Sequence, residues 1–91
     1  MPAARLDMMD AQDWYERQAR GLGAQFRAEV GVQVERIARH PLHFPEMLAD
    51  VRRARLRRFP YGLFFRALDD DVFVIACFHS SRDPLVWQGR L

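Results

Sequence analysis

The chain has 91 residues, 49% of them hydrophobic and 29% charged, and its formal net charge is +2. This length fits a single domain, residues 1–91, and the hydrophobic fraction excludes a disordered chain. No apolar run reaches the roughly 18 residues of a membrane span, and the first residues lack the apolar stretch of a signal peptide. The single Cys77 cannot form an internal disulfide. Because the sequence shows neither an export signal nor a membrane span, we expect a cytoplasmic protein that does not bind membranes.

Two helices are predicted in the first half of the chain. Residues 3–20 carry a stripe at helical spacing that consists of Ala4, Met8, Ala11, Tyr15 and Ala19. A second helix is predicted at 24–40, with a stripe that consists of Phe26, Val30, Val34, Ile37 and Ala38. Gly21-Leu22-Gly23 predicts a tight connection between them. Trp14 lies off the first stripe, which favours either packing at the edge of the core or an exposed contact with a partner.

Three strands are predicted after a loop at 41–46 that contains two prolines. The predicted strands are residues 51–58, 61–68 and 72–78, with an acidic turn between the last two. The last strand is apolar at every position, which predicts a central strand that is covered on both faces. The predicted fold is therefore α+β, an antiparallel helical hairpin packed on a three-stranded antiparallel sheet. Residues 84–90 are predicted to form a short C-terminal helix or coil.

Positive charge is concentrated in the first predicted strand. Residues 51–58 contain five arginines and no acid. Arg53, Arg55 and Arg57 alternate with small or apolar residues, so they are expected to project from one face about 7 Å apart. Arginine presents a planar fork of donors that matches phosphate and carboxylate groups. The face is either a solvated surface that discourages aggregation or an anion-binding surface for nucleic acid or an acidic peptide.

Few residues in the sequence offer catalytic or metal chemistry. His40 and His43, with one nearby Glu, form only a weak metal-binding set, and Cys77 lies in an apolar strand where a buried side chain is expected. His79 and Arg82 follow the last predicted strand, where they either stabilise the local turn or meet an anion. The sequence contains no Gly-rich phosphate loop, Cys-x-x-Cys or His-Glu-x-x-His motif, so we expect no metal and no cofactor.

Six short segments form an ordered pattern along nearly the whole chain. The helical part contributes Asp13-Trp14-Tyr15-Glu16, Gly21-Leu22-Gly23-x-x-Phe26 and Ile37-x-x-His40-Pro41-x-x-Phe44-Pro45. The sheet part contributes Val51-Arg52-Arg53, Leu56-x-Arg58-Phe59-Pro60-Tyr61 and His79-x-x-Arg82-Asp83-Pro84-x-x-Trp87. In this order the segments resemble the RelE/ParE toxins of bacterial type II toxin–antitoxin systems, and the resemblance is closer to the ParE branch.

The resemblance implies a small α+β toxin with a helical hairpin on one face of an antiparallel sheet. It also implies a cognate antitoxin of the ParD or RelB kind. The toxin is expected to contact operator DNA only through this antitoxin. Family members usually begin with a β-strand, whereas here the first predicted element is a helix. Either that N-terminal strand is absent from the fold, or the true start of the protein lies upstream of this sequence. The residues expected at partner interfaces are Trp14, Phe26, Arg53, Arg55, Arg57, Arg58, Arg82 and Trp87.

The sequence does not decide between three functions. The ParE branch implies an inhibitor that binds DNA gyrase without catalysis, with Arg58, Arg82 and Trp87 as interface anchors. The RelE branch implies a metal-independent, ribosome-dependent mRNA endoribonuclease in which His79 transfers protons and Arg58 and Arg82 hold the phosphate. The chain lacks the Lys, and the Tyr or His near the C-terminus, that are usual in that branch, which favours inhibition. The third function is that of an inactive homologue that only binds antitoxin.

Overall fold

The computed structural model describes residues 2–82, which form two helices followed by an antiparallel sheet, as the α+β prediction required. The elements in chain order are α1 (Pro2–Gln18), α2 (Leu22–Arg39), a 3-10 turn (Pro41–His43), β1 (Glu46–Leu48), β2 (Val51–Arg55), β3 (Tyr61–Leu68) and β4 (Asp71–His79). No helix within this range has the length and apolar character needed to cross a membrane. The segment 84–90, predicted as helix or coil, lies outside the described residues.

The sheet has four strands in the order β1-β2-β3-β4, with every neighbouring pair antiparallel, and not the three strands that were predicted. The additional strand β1 has three exposed residues directly after Pro45, so it lacks the alternation that marks a half-buried strand. β2 ends at Arg55 and not at residue 58, because the chain there turns towards β3. Within the described sheet β4 is the last strand, so the prediction of a central strand was wrong.

The strands β3 and β4 carry apolar side chains on both faces, and these side chains are buried in two separate clusters. Leu63, Phe65 and Cys77 belong to the cluster that contains side chains of both helices. Phe64 and Phe78 belong to a second cluster. Since successive side chains of a strand point to opposite faces, the two clusters lie on opposite sides of the sheet. The apolar run of β4 therefore reflects burial on both faces and not a central position.

Four aromatic rings, those of Tyr15, Phe26, Phe59 and Tyr61, pack together in the core between the helices and the sheet. Phe26 of α2 is 1% exposed, and its ring centroid lies 5.4 Å from that of Tyr15. The corresponding distances are 5.2 Å to Phe59 and 5.3 Å to Tyr61. Aromatic pairs at these separations contribute about 0.5–1.5 kcal/mol beyond the area that they bury. Phe26, which was predicted to contact a partner, is therefore enclosed by the core and presents almost no surface to another molecule.

The buried face of α2 is less apolar than the sequence stripe predicted. Phe26, Val30 and Ile37 are buried as expected, whereas Val34 is 39% exposed. Two polar residues, Glu29 and Gln33, lie on the buried face. Ala38 of the same predicted stripe is also exposed, as is Ala19 of the stripe predicted for the first helix.

The helical hairpin is closed by two glycines and Glu16. Gly21 has a φ of 87°, in the left-handed region that glycine adopts without strain. The Glu16 carboxylate accepts hydrogen bonds from the N–H groups of Gly21 and Gly23, each at 3.0 Å, so α1 caps the first turn of α2. A Cβ on Gly23 would lie 2.7 Å from the carbonyl oxygen of Gln12. The tight connection predicted at Gly21-Leu22-Gly23 is confirmed.

Gly31 lies inside α2, and a Cβ added to it would meet nothing within 4 Å. We expect Gly31→Ala to raise the free energy of unfolding by about 0.5–1 kcal/mol, because alanine restricts the unfolded chain and favours the helix. Urea denaturation measures the difference. The control Gly23→Ala should destabilise the protein, since its Cβ collides with the Gln12 carbonyl. A Gly31→Ala variant as unstable as this control would contradict an open environment at Gly31.

Candidate functional site

A cleft of about 550 Å³, here called the basic cleft, lies where β2 ends, β3 begins and β4 ends. It is lined by Arg53, Arg55, Leu56, Arg57, Arg58, Phe59, Pro60, Tyr61, Gly62, Phe64, Phe78, His79, Ser80 and Arg82. Five arginines that the sequence singled out therefore meet in one place, together with His79. Arg57 lies in the turn after β2, so it does not continue the strand face of Arg53 and Arg55 as predicted.

Arg53 and Arg55 project from the same face of β2. The strand register places Arg55 opposite Gly62, and a Cβ on Gly62 would lie 3.2 Å from Cγ of Arg53. The missing side chain of Gly62 thus leaves the space in which the Arg53 stem lies. The Nε atom of Arg53 is buried without a hydrogen-bond partner. Burial, and then the positive charge of Arg55, lower the pKa of the Arg53 guanidinium. Positive charge is therefore concentrated on a partly buried surface.

The turn between β2 and β3 is held by Glu29 of α2. Glu29 is buried, and its Oε1 accepts hydrogen bonds from the backbone N–H groups of Arg57 and Arg58, the latter at 2.8 Å. Its Oε2 lies 3.2 Å from Nε of Arg58. Burial raises the pKa of the Glu29 carboxyl, but the hydrogen bonds from Arg58 and Arg57 outweigh burial, so the pKa lies below its ordinary value. An ionised carboxylate therefore fixes two arginines of the basic cleft.

Gln33, four residues after Glu29 on the same side of α2, holds the end of β2. Its Nε2 donates to the carbonyl oxygen of Arg55 at 2.5 Å, and its Oε1 accepts a hydrogen bond from Arg36 at 3.0 Å. The sequence analysis missed both residues, because a polar residue gives no hydropathy signal. Their positions between Phe26 and Ile37, at the spacing of the apolar stripe, are the signal that points to them.

His79 and Arg82 line the basic cleft at the end of β4. The guanidinium carbon of Arg82 lies 4.5 Å from the ring centroid of Phe78, in a cation–π contact. Nδ1 of His79 accepts a hydrogen bond from the Ser81 backbone N–H at 3.1 Å and lies 2.7 Å from Ser81 Oγ. Because Nδ1 is the acceptor, the neutral ring carries its proton on Nε2.

Tyr61 is a neighbour of His79 that the sequence analysis did not identify. The β3–β4 register places the two residues opposite each other, with ring centroids 5.3 Å apart. The two residues are distant in the sequence and become neighbours only through the pairing of β3 with β4, so no local sequence motif indicates their contact. Burial is the main cause that raises the pKa of the Tyr61 phenol. The phenol therefore stays protonated near neutral pH and is available as a hydrogen-bond donor but not as a base.

Four arginines of the basic cleft have no carboxylate partner in the described part of the chain. Arg58 pairs with Glu29, and the two other salt bridges within residues 2–82 lie outside this cleft. The arginines without such a partner are Arg53, Arg55, Arg57 and Arg82. Unpaired guanidinium groups at the end of a rigid sheet are suited to bind anionic groups of another molecule.

A second groove, of about 330 Å³, lies between α1 and the end of β4. Trp14 lines this groove and is 49% exposed, while its ring centroid lies 5.0 Å from that of Tyr15 in an edge contact. The indole therefore packs at the edge of the core and also presents an exposed apolar surface. The residues that the groove shares with the basic cleft are Tyr61, His79 and Arg82.

The remaining residues from the sequence analysis carry less chemistry. Cys77 is 2% exposed, and burial together with Asp7 raises the pKa of its thiol to about 12, so the thiol is inert. Its backbone N–H donates to Oδ2 of Asp7 at 3.0 Å. His40 and His43 stack with centroids 4.7 Å apart, and no group of three or more His, Cys, Asp or Glu within residues 2–82 could hold a metal ion. Trp87 lies outside the described residues.

A family model described as the ParE toxin of the type II toxin–antitoxin system, parDE, matches residues 1–84. No curated protein and no solved structure matches the chain. The matched range includes both helices, the four described strands and every residue that lines the basic cleft. The chain therefore belongs to the ParE toxin family of type II toxin–antitoxin systems.

Proposed function

We propose that this ParE-family toxin inhibits DNA gyrase in the cytoplasm by binding to it through the basic cleft, without catalysis. Membership of the family implies a toxin with an antitoxin partner, whereas the target and the mode of action are the proposal. The observation that supports it most is the set of arginines in the basic cleft that have no carboxylate partner within residues 2–82. Operator DNA is reached only through the antitoxin.

The composition of the basic cleft supports a protein-binding surface. Arginine and aromatic residues are enriched among the residues that contribute most to protein interfaces. The stem of Arg53 lies against Gly62, and Arg82 lies over the ring of Phe78, so both side chains lose little freedom when a partner binds. An acidic surface on the target would pair with these guanidinium groups and would also accelerate association.

The acid–base groups of the basic cleft favour binding over RNA cleavage. Cleavage at a 2′-OH requires one group that accepts a proton and another that donates one. The Nδ1 lone pair of His79 is occupied by the Ser81 N–H, and Nε2 of the neutral ring carries the proton. In this arrangement His79 offers no free acceptor, and the arginines remain protonated at every physiological pH.

The ribosome-dependent mRNA endoribonuclease is the second candidate function, because one observation favours it. Tyr61 and His79 contact each other in the lining of the basic cleft, which Arg58 and Arg82 also line. A phenol could protonate the leaving oxygen, and the arginines could hold the phosphate. This set becomes complete only when the His79 ring exchanges its Ser81 contact for one with the substrate.

Purified toxin, free of antitoxin, is expected to inhibit supercoiling by gyrase and to leave ribosome-bound mRNA intact. Arg55→Ala and Arg82→Ala should each weaken inhibition about 30-fold, because truncation of an interface hot spot costs about 2 kcal/mol. The matched control Arg27→Ala removes the same charge from an exposed site on α2 outside the basic cleft, and it should inhibit as strongly as the wild type. The half-inhibitory concentration of each protein gives the comparison.

Three other outcomes of this experiment are informative. Cleavage of mRNA that His79→Ala abolishes, with supercoiling unaffected, would replace gyrase inhibition by the ribonuclease function. A chain that binds antitoxin but affects neither gyrase nor mRNA would be the inactive homologue. Equal losses in Arg27→Ala and the cleft variants would show that net charge, and not the basic cleft, determines inhibition.

A further inference from the structure

Glu29 is the single acidic residue that is buried within the described chain, and its carboxylate accepts hydrogen bonds from the turn after β2. One carboxylate oxygen accepts two consecutive backbone N–H groups, those of Arg57 and Arg58. The other oxygen accepts the Nε–H of Arg58 at 3.2 Å. The helix therefore determines both the shape of the turn and the direction of one side chain that leaves it.

The contact with Nε leaves the outer end of the Arg58 guanidinium free for a partner. The Arg58 side chain is 66% exposed although its Nε is paired, whereas the Glu29 side chain is 9% exposed. Arg58 lines the basic cleft and also a neighbouring cavity that Ala28, Glu29 and Val32 line from α2. Glu29 thus holds the Arg58 side chain at its Nε atom, while the rest of the guanidinium is exposed beside the basic cleft.

We propose that Glu29 is a positioning residue for target binding, which orients Arg58 and so prepares the rim of the basic cleft for gyrase. This inference rests on the proposed function. An arginine that is already oriented loses less side-chain freedom on binding, so the effect is expected in affinity. A salt bridge to an arginine this exposed contributes little to stability, because solvent screens it.

Glu29→Gln separates the two tasks of the carboxylate. The amide oxygen of glutamine can still accept the backbone N–H groups of the turn. The amide nitrogen is a donor and would face the Nε–H of Arg58, which is also a donor, so the orienting contact is lost. Glu35→Gln is the matched control, since Glu35 lies on the same helix and pairs with Arg39 at 2.8 Å on the exposed surface.

The test is a double-mutant cycle on the affinity for purified gyrase, measured by calorimetry with the full-length toxin. Glu29→Gln is expected to weaken binding about tenfold, and Arg58→Ala about 30-fold. The double variant should bind as Arg58→Ala does, because without the Arg58 side chain the residue at position 29 has nothing to orient. Glu35→Gln should bind as the wild type. Independent losses that multiply in the double variant would overturn the inference, since they would mean that Glu29 does not act through Arg58.

The pH dependence of the Arg58 Nε–H resonance reports the same contact without gyrase. Burial raises the pKa of the Glu29 carboxyl, but the backbone N–H groups of Arg58 and Arg57, together with the side chain and charge of Arg58, hold that pKa below its ordinary value. The contact should be complete above the ordinary pKa of a glutamate and should be lost as the pH falls through the lower, folded value. Glu29→Gln should abolish this transition, and its persistence in that variant would contradict the assignment. A wild-type toxin that shows the transition but does not bind gyrase would refute the proposed function and, with it, the role of Glu29 in target binding.

Discussion

Phe26→Ala is expected to lower the free energy of unfolding by about 3–5 kcal/mol, the cost of truncating a fully enclosed phenylalanine. The side chain is 1% exposed and contacts the rings of Tyr15, Phe59 and Tyr61, so the substitution leaves a cavity lined by three aromatic rings. Domains of this size have total stabilities near the lower end of about 5–15 kcal/mol. The variant should therefore be largely unfolded at 37 °C, which urea denaturation and near-ultraviolet circular dichroism would reveal.

Trp14→Ala is the control for this first prediction. Its indole is half exposed and contacts the core at one edge, so its truncation should cost far less stability than that of Phe26. The contrast matters for binding experiments, because a Phe26 variant that fails to bind a partner fails by unfolding. A stably folded Phe26→Ala protein would contradict the enclosed position of this ring.

Binding of the antitoxin is expected to raise the stability of the toxin by about 4 kcal/mol when free antitoxin exceeds its dissociation constant 1,000-fold. The family implies this partner, and a ligand that binds only the folded chain stabilises it by mass action. We expect Trp14→Ala and Arg53→Glu each to weaken antitoxin binding at least about tenfold, by removing an exposed aromatic anchor or by reversing a charge in the basic cleft. Calorimetric titration of antitoxin into each folded variant gives the affinities.

Arg27→Glu is the matched control for the charge reversal, because it changes the charge by the same amount on an exposed helical surface outside the basic cleft. It should bind antitoxin as tightly as the wild type at moderate salt, where distant exposed charges are screened. Unchanged affinity in both Trp14→Ala and Arg53→Glu would show that the antitoxin binds elsewhere on the toxin.

The parts of the fold that were predicted correctly from the sequence are those with strong periodicity or unambiguous turn residues. Both helices were placed within two residues of their ends, because their apolar stripes and the Gly21-Leu22-Gly23 connection are local signals. β3 was predicted at its observed bounds, since a run rich in aromatic residues precedes an acidic turn. β1 was missed because three exposed residues carry no alternation.

The candidate site was only partly predictable, because its geometry depends on contacts between distant segments. The arginines of the basic cleft were identified from their density in the sequence, but their carboxylate partner Glu29 was not. Nothing in the hydropathy of α2 shows that a glutamate there meets backbone N–H groups 28 and 29 positions later. Phe26 illustrates a different difficulty, since an aromatic residue on a helical stripe fits the core and a partner surface equally well until the packing is known.

The hydrogen bond between Asp7 and the backbone of Cys77 has a consequence for the solubility of toxin released from its antitoxin. An unpaired N–H on an outer strand is a point at which another molecule can add a strand, and chains with apolar outer strands aggregate in this way. Here a carboxylate of α1 already accepts a hydrogen bond from the Cys77 N–H, on the strand that is last in the described sheet and almost entirely apolar towards its end. A strand added from another molecule would have to displace the Asp7 carboxylate, and the carboxylate charge would then lie beside the buried Cys77 thiol without this hydrogen bond. The first helix thereby opposes self-association at a position where the sheet alone would invite it.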